Sequence, residues 1–252
     1  MKLSVVIPFY NEENMIQKMY DELVKEINQI TKAEFEIIFI NDGSKDRTFE
    51  KMRAIADGDS RVKYISFSRN FGKEAGTIAG LEYATGEAVI LMDGDLQHPP
   101  ALIPQMIAAY EEGYDVVSAR RTRTGEKPHR TFLAKHFYKL ANKMMDIELM
   151  DGVSEFRLFS RKVVNAIISM QEYNRFSKGI FAWVGFNEKV IEYENQVRTV
   201  GETKYSLKFS LNYAIQGILS FNDKPLRMCI NFGLFCLLIS LAYVFWTFVQ
   251  YF

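Results

Sequence analysis

The sequence opens on a short continuous apolar run, Leu3 to Ile7, of the length of a buried strand. Met15, Ile16, Met19, Leu23, Ile27 and Ile30 follow at helical spacing. Phe35 to Ile40 reads as a second strand, ending in Asn41-Asp42-Gly43-Ser44. Residues 45–56 fit a helix, the alternation over 62–67 a strand, and residues 73–84 another helix. Ala88 to Met92 is again a strand, Pro100 to Tyr110 a helix, and Asp115 to Ser118 a fifth strand.

Strands alternating with helices predict an α/β domain with a mostly parallel sheet covered by helices on both faces. In such sheets ligands bind beyond the carboxyl ends of the strands. Polar clusters recur at those ends: Tyr10-Asn11-Glu12, then Asn41-Asp42-Gly43, then Arg69-Asn70, then Asp93-Gly94-Asp95. Four clusters at successive strand ends describe one shared cleft.

Beyond Arg120 the pattern changes. "RRTRTGEKPHR" is basic and turn-rich and reads as a loop, and residues 132–145 have helical character. Over residues 205–221, Leu207, Leu211, Ile215 and Ile218 share one face. That describes an amphipathic helix lying in a membrane interface or packed on the domain surface. Met228 to Phe252 carries no charge. A helix of that length spans roughly 35 Å at about 1.5 Å per residue, enough for a bilayer core of about 30 Å. Tyr243, Trp246 and Tyr251 lie toward its far end, where an aromatic belt would sit. The alternative is a buried core helix. Lys224 and Arg227 precede the span, which by the positive-inside rule places the N-terminal domain on the cytoplasmic face of the cell membrane.

Composition narrows this picture. Lysine plus arginine (31) balances aspartate plus glutamate (31), so no whole-chain basic field points to nucleic acid. The length, 252 residues, suits one large domain with an appendage. The opening apolar run is too short for a signal peptide, which predicts that the globular part stays in the cytoplasm. Cys229 and Cys236 both lie in the apolar tail, which offers neither a disulfide framework nor a cysteine zinc site.

Asp93 and Asp95 flank one glycine at a strand end, where both carboxylates can address a single ion. Magnesium or manganese prefers hard oxygen ligands, commonly one or two carboxylates completed by substrate phosphates. Gln97 adds a carbonyl oxygen or holds a metal-bound water. The alternative is an acidic turn, common by chance for D-x-D alone. Asp42 can accept bonds from a nucleobase N–H or ribose hydroxyls, or can act as an Asx-type turn or cap ahead of Ser44. Arg120, ending the fifth strand, can grip a diphosphate. His98, beside Pro99-Pro100, reads as structural, and the three histidines show no metal spacing. No glycine-rich phosphate loop follows the first strand, which argues against a nucleotidyltransferase.

Together "VVIPFYNEE", "FINDGSKDRT", "SFSRNFGKEAG", "MDGDLQHPP", "EFRLFSRKVV", "RFSKGIFAWVGF" and "GETKYSLKFSL…SFNDKPLR" resemble family-2 glycosyltransferases of the polyprenyl-phosphate branch, from Leu3 to about Arg227. That branch includes dolichol-phosphate mannose synthases and bacterial undecaprenyl-phosphate sugar transferases. The resemblance implies a GT-A (Rossmann-like) domain over residues 1–204, a juxtamembrane segment over 205–227 and a span over 228–252. It implies transfer of glucose or N-acetylglucosamine from a UDP-sugar to undecaprenyl phosphate, with Mg2+ or Mn2+. GDP-mannose as donor and a catalytically silent sugar-nucleotide scaffold are the rival readings. Membrane lipid is an implied partner, with room for a homo-oligomer and for a downstream flippase or transferase.

By the same resemblance Pro8, Tyr10, Glu12, Asp42, Lys73 and Asp93 match donor-binding positions, with Arg120 and Lys204 near the phosphates. Asp93, Asp95 and Gln97 match the metal motif. Asp95, Glu155 and Arg157 match the catalytic centre. Arg121, Arg123, Arg130 and Lys178 are candidates for the acceptor phosphate. Glu155 stands where the family usually has aspartate, the acid often proposed as base. A phosphate monoester is already largely anionic near neutral pH, so Glu155 is expected to orient Arg157 or the acceptor, or to take a residual proton. Gly94 stands where alanine is common and is expected to loosen the turn. "QEYNRF" departs from the Q-x-x-R-W of processive synthases, which favours a single transfer. Relatives often carry two spans; this sequence carries one.

Overall fold

The computed structural model describes residues 1–122, 139, 142–143, 145, 147, 150–172, 175–194, 217 and 219–251. Strand β1 is Lys2–Phe9, helix α1 Ile16–Ile27, β2 Glu34–Asn41, α2 Thr48–Gly58 and β3 Val62–Ser66. Then come α3 (Lys73–Tyr83), β4 (Ala88–Leu91), a 3-10 turn (Pro100–Leu102), α4 (Ile103–Glu111) and β5 (Val116–Arg121). The described chain continues through β6 (Val153–Ser160), α5 (Arg161–Ser169), α6 (Ser177–Trp183), β7 (Glu188–Tyr193) and α7 (Lys224–Tyr251).

The seven strands form one sheet in the order β3-β2-β1-β4-β6-β5-β7. Every pair is parallel except those made by β6, which runs antiparallel between β4 and β5. The expected elements up to β5 are present with small shifts at several ends, two of which have a visible cause. Helix α2 starts at Thr48 because Asp46 Oδ1 accepts both the backbone N–H and the hydroxyl of Thr48, at 3.0 and 2.6 Å, holding the preceding residues in a turn. Strand β5 runs on to Arg121 because β7 pairs along its whole length, up to Arg121 against Tyr193. The expected helix over 132–145 and the amphipathic segment over 205–221 lie largely outside the described residues.

Alternation along the strands sorts side chains to two cores. Leu3, Val5, Ile7 and Phe9 of β1 pack with Ile37, Phe39 and Ile90 under α1, α2 and α4. Val6, Ile38, Ile40, Val89 and Leu91 pack on the opposite face with Leu81, Val163 and Val164 from α3 and α5. Helix α3 approaches closely at Gly80, where a Cβ would stand 2.2 Å from Val6 Cγ1. Full burial of each such aliphatic side chain contributes about 1.5–3 kcal/mol.

Helix α7 has 28 residues, all solvent-exposed or nearly so, and by length and composition can cross a membrane. Cys229 and Cys236 are exposed on it. Just before it, the ring of Phe221 packs on α6, against Phe176 and Trp183 at centroid distances of 6.4 and 6.1 Å.

Candidate active site

The acidic motif sits where β4 leaves the sheet. The Met92 N–H still bonds to Val6 O at 3.1 Å, and the next residue, Asp93, is at the open edge. The turn is tight: Leu96 has φ +58°, and the Gln97 N–H donates to Asp95 Oδ1 at 3.1 Å. The Asp93 N–H donates to His98 Nδ1 at 3.0 Å. The buried His98 ring stacks on Phe156, with centroids 5.5 Å apart. Burial lowers the pKa of His98 against the pull of Asp93, so the imidazole is neutral and pins the turn. Gly94 corrects the sequence reading. It does not loosen the turn: a Cβ there would stand 2.2 Å from Phe9 Cε1, so the absence of a side chain lets the ring pack against the motif.

From the far side of the cleft, β6 presents Glu155 and the first residue of α3 presents Lys73. Lys73 Nζ lies 2.5 Å from Asp93 Oδ1 and 2.7 Å from Glu155 Oε2. Burial disfavours charge on Asp93, but the ammonium outweighs it and holds the carboxyl below its ordinary range. Burial likewise opposes charge on Lys73, and the two carboxylates outweigh it, raising its pKa well above the usual lysine value. The cleft here is about 200 Å³, lined by Lys73, Asp93, Gln97, Glu155, Lys178 and Tyr193 among others.

The oxygens of Asp93, Asp95 and Gln97 are the hard donors a magnesium or manganese ion takes. Among the described residues no cluster of three or more His, Cys, Asp or Glu forms a closed metal cage. Asp93 and Gln97 border the cleft, and Asp95 lies in the turn between them, its Oδ1 accepting the Gln97 N–H.

The loops after β1 and β2 are laced together beside this cleft. The Asn11 N–H donates to Ser44 Oγ at 3.0 Å, the Lys45 N–H to Asn11 Oδ1 at 2.8 Å, and the Glu12 N–H to Thr48 Oγ1 at 2.8 Å. Asn11 takes φ +51°. Pro8, Tyr10 and Glu12 are half-buried there. Asp42 is buried and binds the loop ahead of α3: its carboxylate accepts from Phe71 N–H at 2.7 Å, Gly72 N–H at 3.0 Å and Asn70 Nδ2 at 2.8 Å. Burial raises its pKa against those donors. Its observed work is thus to position the loop carrying Lys73. Gly43, at φ +64°, passes so close to Arg69 that a Cβ would lie 2.3 Å from its carbonyl carbon.

The basic candidates separate. Arg120 pairs with Glu192 across the β5–β7 ladder, whereas Arg121 lines the cleft. Arg120 is held in the ladder by that ion pair, and Arg121 is the one of the two that borders the cleft. The expectation that Arg120 faces the cleft is therefore replaced by Arg121. Contrary to the expectation that Glu155 orients it, Arg157 is buried against Glu188 at 3.4 Å with its guanidinium over Phe181 at 5.1 Å. Burial lowers its pKa against the pull of Glu188. Its place is in the scaffold behind the cleft. Lys178 reaches the cleft from α6, next to Ser177, whose N–H donates to Glu74 Oε2 at 3.2 Å. Arg123, Arg130 and Lys204 lie outside the described residues. Sequence reading did not single out Tyr193 or Ser154, which line the cleft from β7 and β6. Their only signal was the strand pattern of two segments, β6 inserted antiparallel between β4 and β5 and β7 paired parallel to β5.

Residues 4–168 match the model described as Glycosyl transferase family 2. A Bacillus subtilis (strain 168) protein provisionally named as a glycosyltransferase, CsbB, is 49% identical over 248 residues, covering 98% of this chain and 75% of its own. The bactoprenol glucosyl transferase of Shigella phage SfX is 42% identical over 251 residues, covering 99% of this chain and 82% of its own. Among solved structures, glucosyl-3-phosphoglycerate synthase from Mycobacterium tuberculosis, in complex with Mn2+, uridine diphosphate and phosphoglyceric acid, superposes with a TM-score of 0.60 at 19% identity. That match covers 86% of this chain and 76% of the other, and shows a shared fold.

Proposed function

The chain belongs to glycosyl transferase family 2 and is a glycosyltransferase; from that premise we propose that it transfers one hexose from a UDP-sugar to a polyprenyl phosphate at the cytoplasmic face of a membrane. The observation that carries this reading is the presence, in one chain, of the open acidic cleft around Asp93 and Glu155 and the apolar helix α7. A polar cleft alone suits many donors. A cleft tethered to a bilayer suits an acceptor whose phosphate is itself held at a bilayer. The relatives named as bactoprenol glucosyl transferases support the same acceptor class and favour glucose.

Residues 1–204 act as the transferase domain, 205–227 as the juxtamembrane segment and 228–252 as the anchor. Tyr10, Glu12 and the loop fixed by Asp42 form the wall for the nucleotide. Asp93, Asp95 and Gln97 would hold a magnesium or manganese ion, which when bound supplies a Lewis acid for the leaving diphosphate. Lys73, with Lys204, adds positive charge on the side of the diphosphate, where charge develops as the glycosidic bond breaks. Lys178 and Arg121 receive the acceptor phosphate, with Arg123 and Arg130 as further contributors. That phosphate is already largely anionic near neutral pH. Glu155 is therefore asked mainly to hold Lys73, and attack from the face opposite the diphosphate inverts the anomeric centre.

Mass spectrometry of a short polyprenyl phosphate incubated with Mn2+ and each of UDP-glucose, UDP-N-acetylglucosamine and GDP-mannose tests the reading. The expected product is the hexosyl lipid from UDP-glucose. Product from GDP-mannose alone would replace the donor, and no product from any donor would sink the transferase assignment to this acceptor.

A further inference from the structure

The ammonium of Lys73 sits on one of the oxygens expected to hold a divalent cation. It is 2.5 Å from Asp93 Oδ1, and a second carboxylate, Glu155, stands 2.7 Å away on the other side. The other Asp93 oxygen faces His98 Nε2 at 3.8 Å. His98 Nδ1 accepts the Asp93 N–H, which leaves the ring hydrogen on Nε2, beyond hydrogen-bond distance of that oxygen. Asp93 is thus held at its backbone by His98 and at its carboxylate by Lys73.

A divalent cation and an ammonium on one carboxylate repel each other, strongly so in a partly desolvated cleft. One of them gives way. Lys73 has somewhere to go: Glu155 is already in contact, so the ammonium can leave Asp93 and stay in the cleft. Its backbone does not move with it. Gly72, immediately before it, has φ +96° and donates its N–H to the buried Asp42, so only the side chain swings.

We propose that Lys73 is a tethered counter-ion that guards Asp93 against divalent cations until a nucleoside diphosphate enters. The diphosphate brings negative charge for both cations. It relieves their repulsion, so the cation and the nucleotide bind with positive coupling, and each tightens the other by the same factor. Glu155 is then a positioning residue that acts through Lys73. Its extra methylene relative to aspartate suits it to reach across to the ammonium. This inference rests on the reading of the cleft as a nucleotide-sugar site.

The test is a Mn2+ titration of the purified full chain in detergent, read by the electron paramagnetic resonance signal of free Mn2+, with and without UDP. No acceptor or turnover is involved. In the unaltered protein UDP is expected to tighten Mn2+ at least about tenfold, roughly 1.4 kcal/mol of coupling. Lys73→Met is expected to tighten Mn2+ alone about tenfold and to shrink the UDP gain by a similar factor. Lys73→Arg should keep the original behaviour. Glu155→Gln should weaken Mn2+ alone a few-fold, and should have less than about a twofold effect once Lys73 is Met, since Glu155 works through the lysine. Unchanged or weaker Mn2+ binding in Lys73→Met, or a full Glu155→Gln effect without Lys73, overturns the inference. Circular dichroism checks folding; should Lys73→Met not fold, the Glu155→Gln titration decides, weakening supporting the inference and no change or tightening overturning it. A chain that shows this Mn2+ pattern without transferring sugar loses the proposed activity and keeps the counter-ion. A working transferase with a flat Lys73→Met response loses only the counter-ion.

Discussion

The sheet carries acids at both ends, and the two ends treat them in opposite ways. At the amino ends of the strands, Glu36 accepts from Ser4 Oγ at 2.5 Å, from the Thr85 N–H at 2.6 Å and from Thr85 Oγ1 at 2.9 Å. Lys63 and Lys2 reach its other oxygen at 2.8 and 3.5 Å. Burial opposes ionisation of Glu36, yet these donors outweigh it and hold the carboxyl at about 2. At the carboxyl ends, Asp93 and Glu155 share a single ammonium beside an open cleft. An acid saturated with donors from its own fold holds structure together. An acid pair bridged by one cation retains lone pairs for a ligand. The number and source of the donors separate the two roles, and exposure runs with them: the side chain of Glu36 is 4% exposed, that of Asp93 29% and that of Glu155 13%.

Removing a carboxylate from each end breaks the comparison most directly. Asp93→Asn is expected to lower kcat/KM for sugar transfer by about 10³-fold while leaving the melting temperature nearly unchanged, read by product assay and thermal unfolding. Should it unfold the protein instead, the acid pair would be structural like Glu36. Glu36→Gln is expected to do the reverse. It should cost about 2–3 kcal/mol of stability in denaturant unfolding and leave turnover of the folded protein intact. Its pH dependence is a second readout. The folded pKa, about 2, lies below the ordinary 4.5, so the stabilisation is complete above about 4.5 and lost as pH falls toward 2. Glu36→Gln should flatten that part of the stability–pH curve.

The smallest effect sharpens the comparison within one strand. Arg121→Ala is expected to raise KM for the donor or the lipid about tenfold. Arg120→Ala, whose partner is the half-exposed Glu192, should change it less than about twofold. Equal effects of the two would contradict the inward orientation of Arg121.

Periodicity carried the first five strands and the helices between them, because each buries one face and so writes its period into the sequence. The cleft at the strand ends followed from that order. What periodicity did not carry is β6. A strand inserted antiparallel between β4 and β5 has the same local pattern whichever neighbours it takes, and its neighbours are chosen by contacts far apart in sequence. Glu155 reaches Lys73 only through that insertion. The side to which Arg120 and Arg121 point was equally hidden, since one residue of register exchanges them. Gly94 was misread because the reason for it, the ring of Phe9, lies on another strand.

The seat of Phe221 on α6 has a further consequence. A Cβ on Gly179 would stand 2.4 Å from that ring, so the aromatic lies directly on the helix backbone, one residue from Lys178 and three before α7 begins. For a chain anchored by α7, this rivet removes slack between anchor and catalytic body. With the lipid-borne acceptor proposed above, a fixed height over the headgroups turns the search for that acceptor into lateral drift in two dimensions at constant altitude.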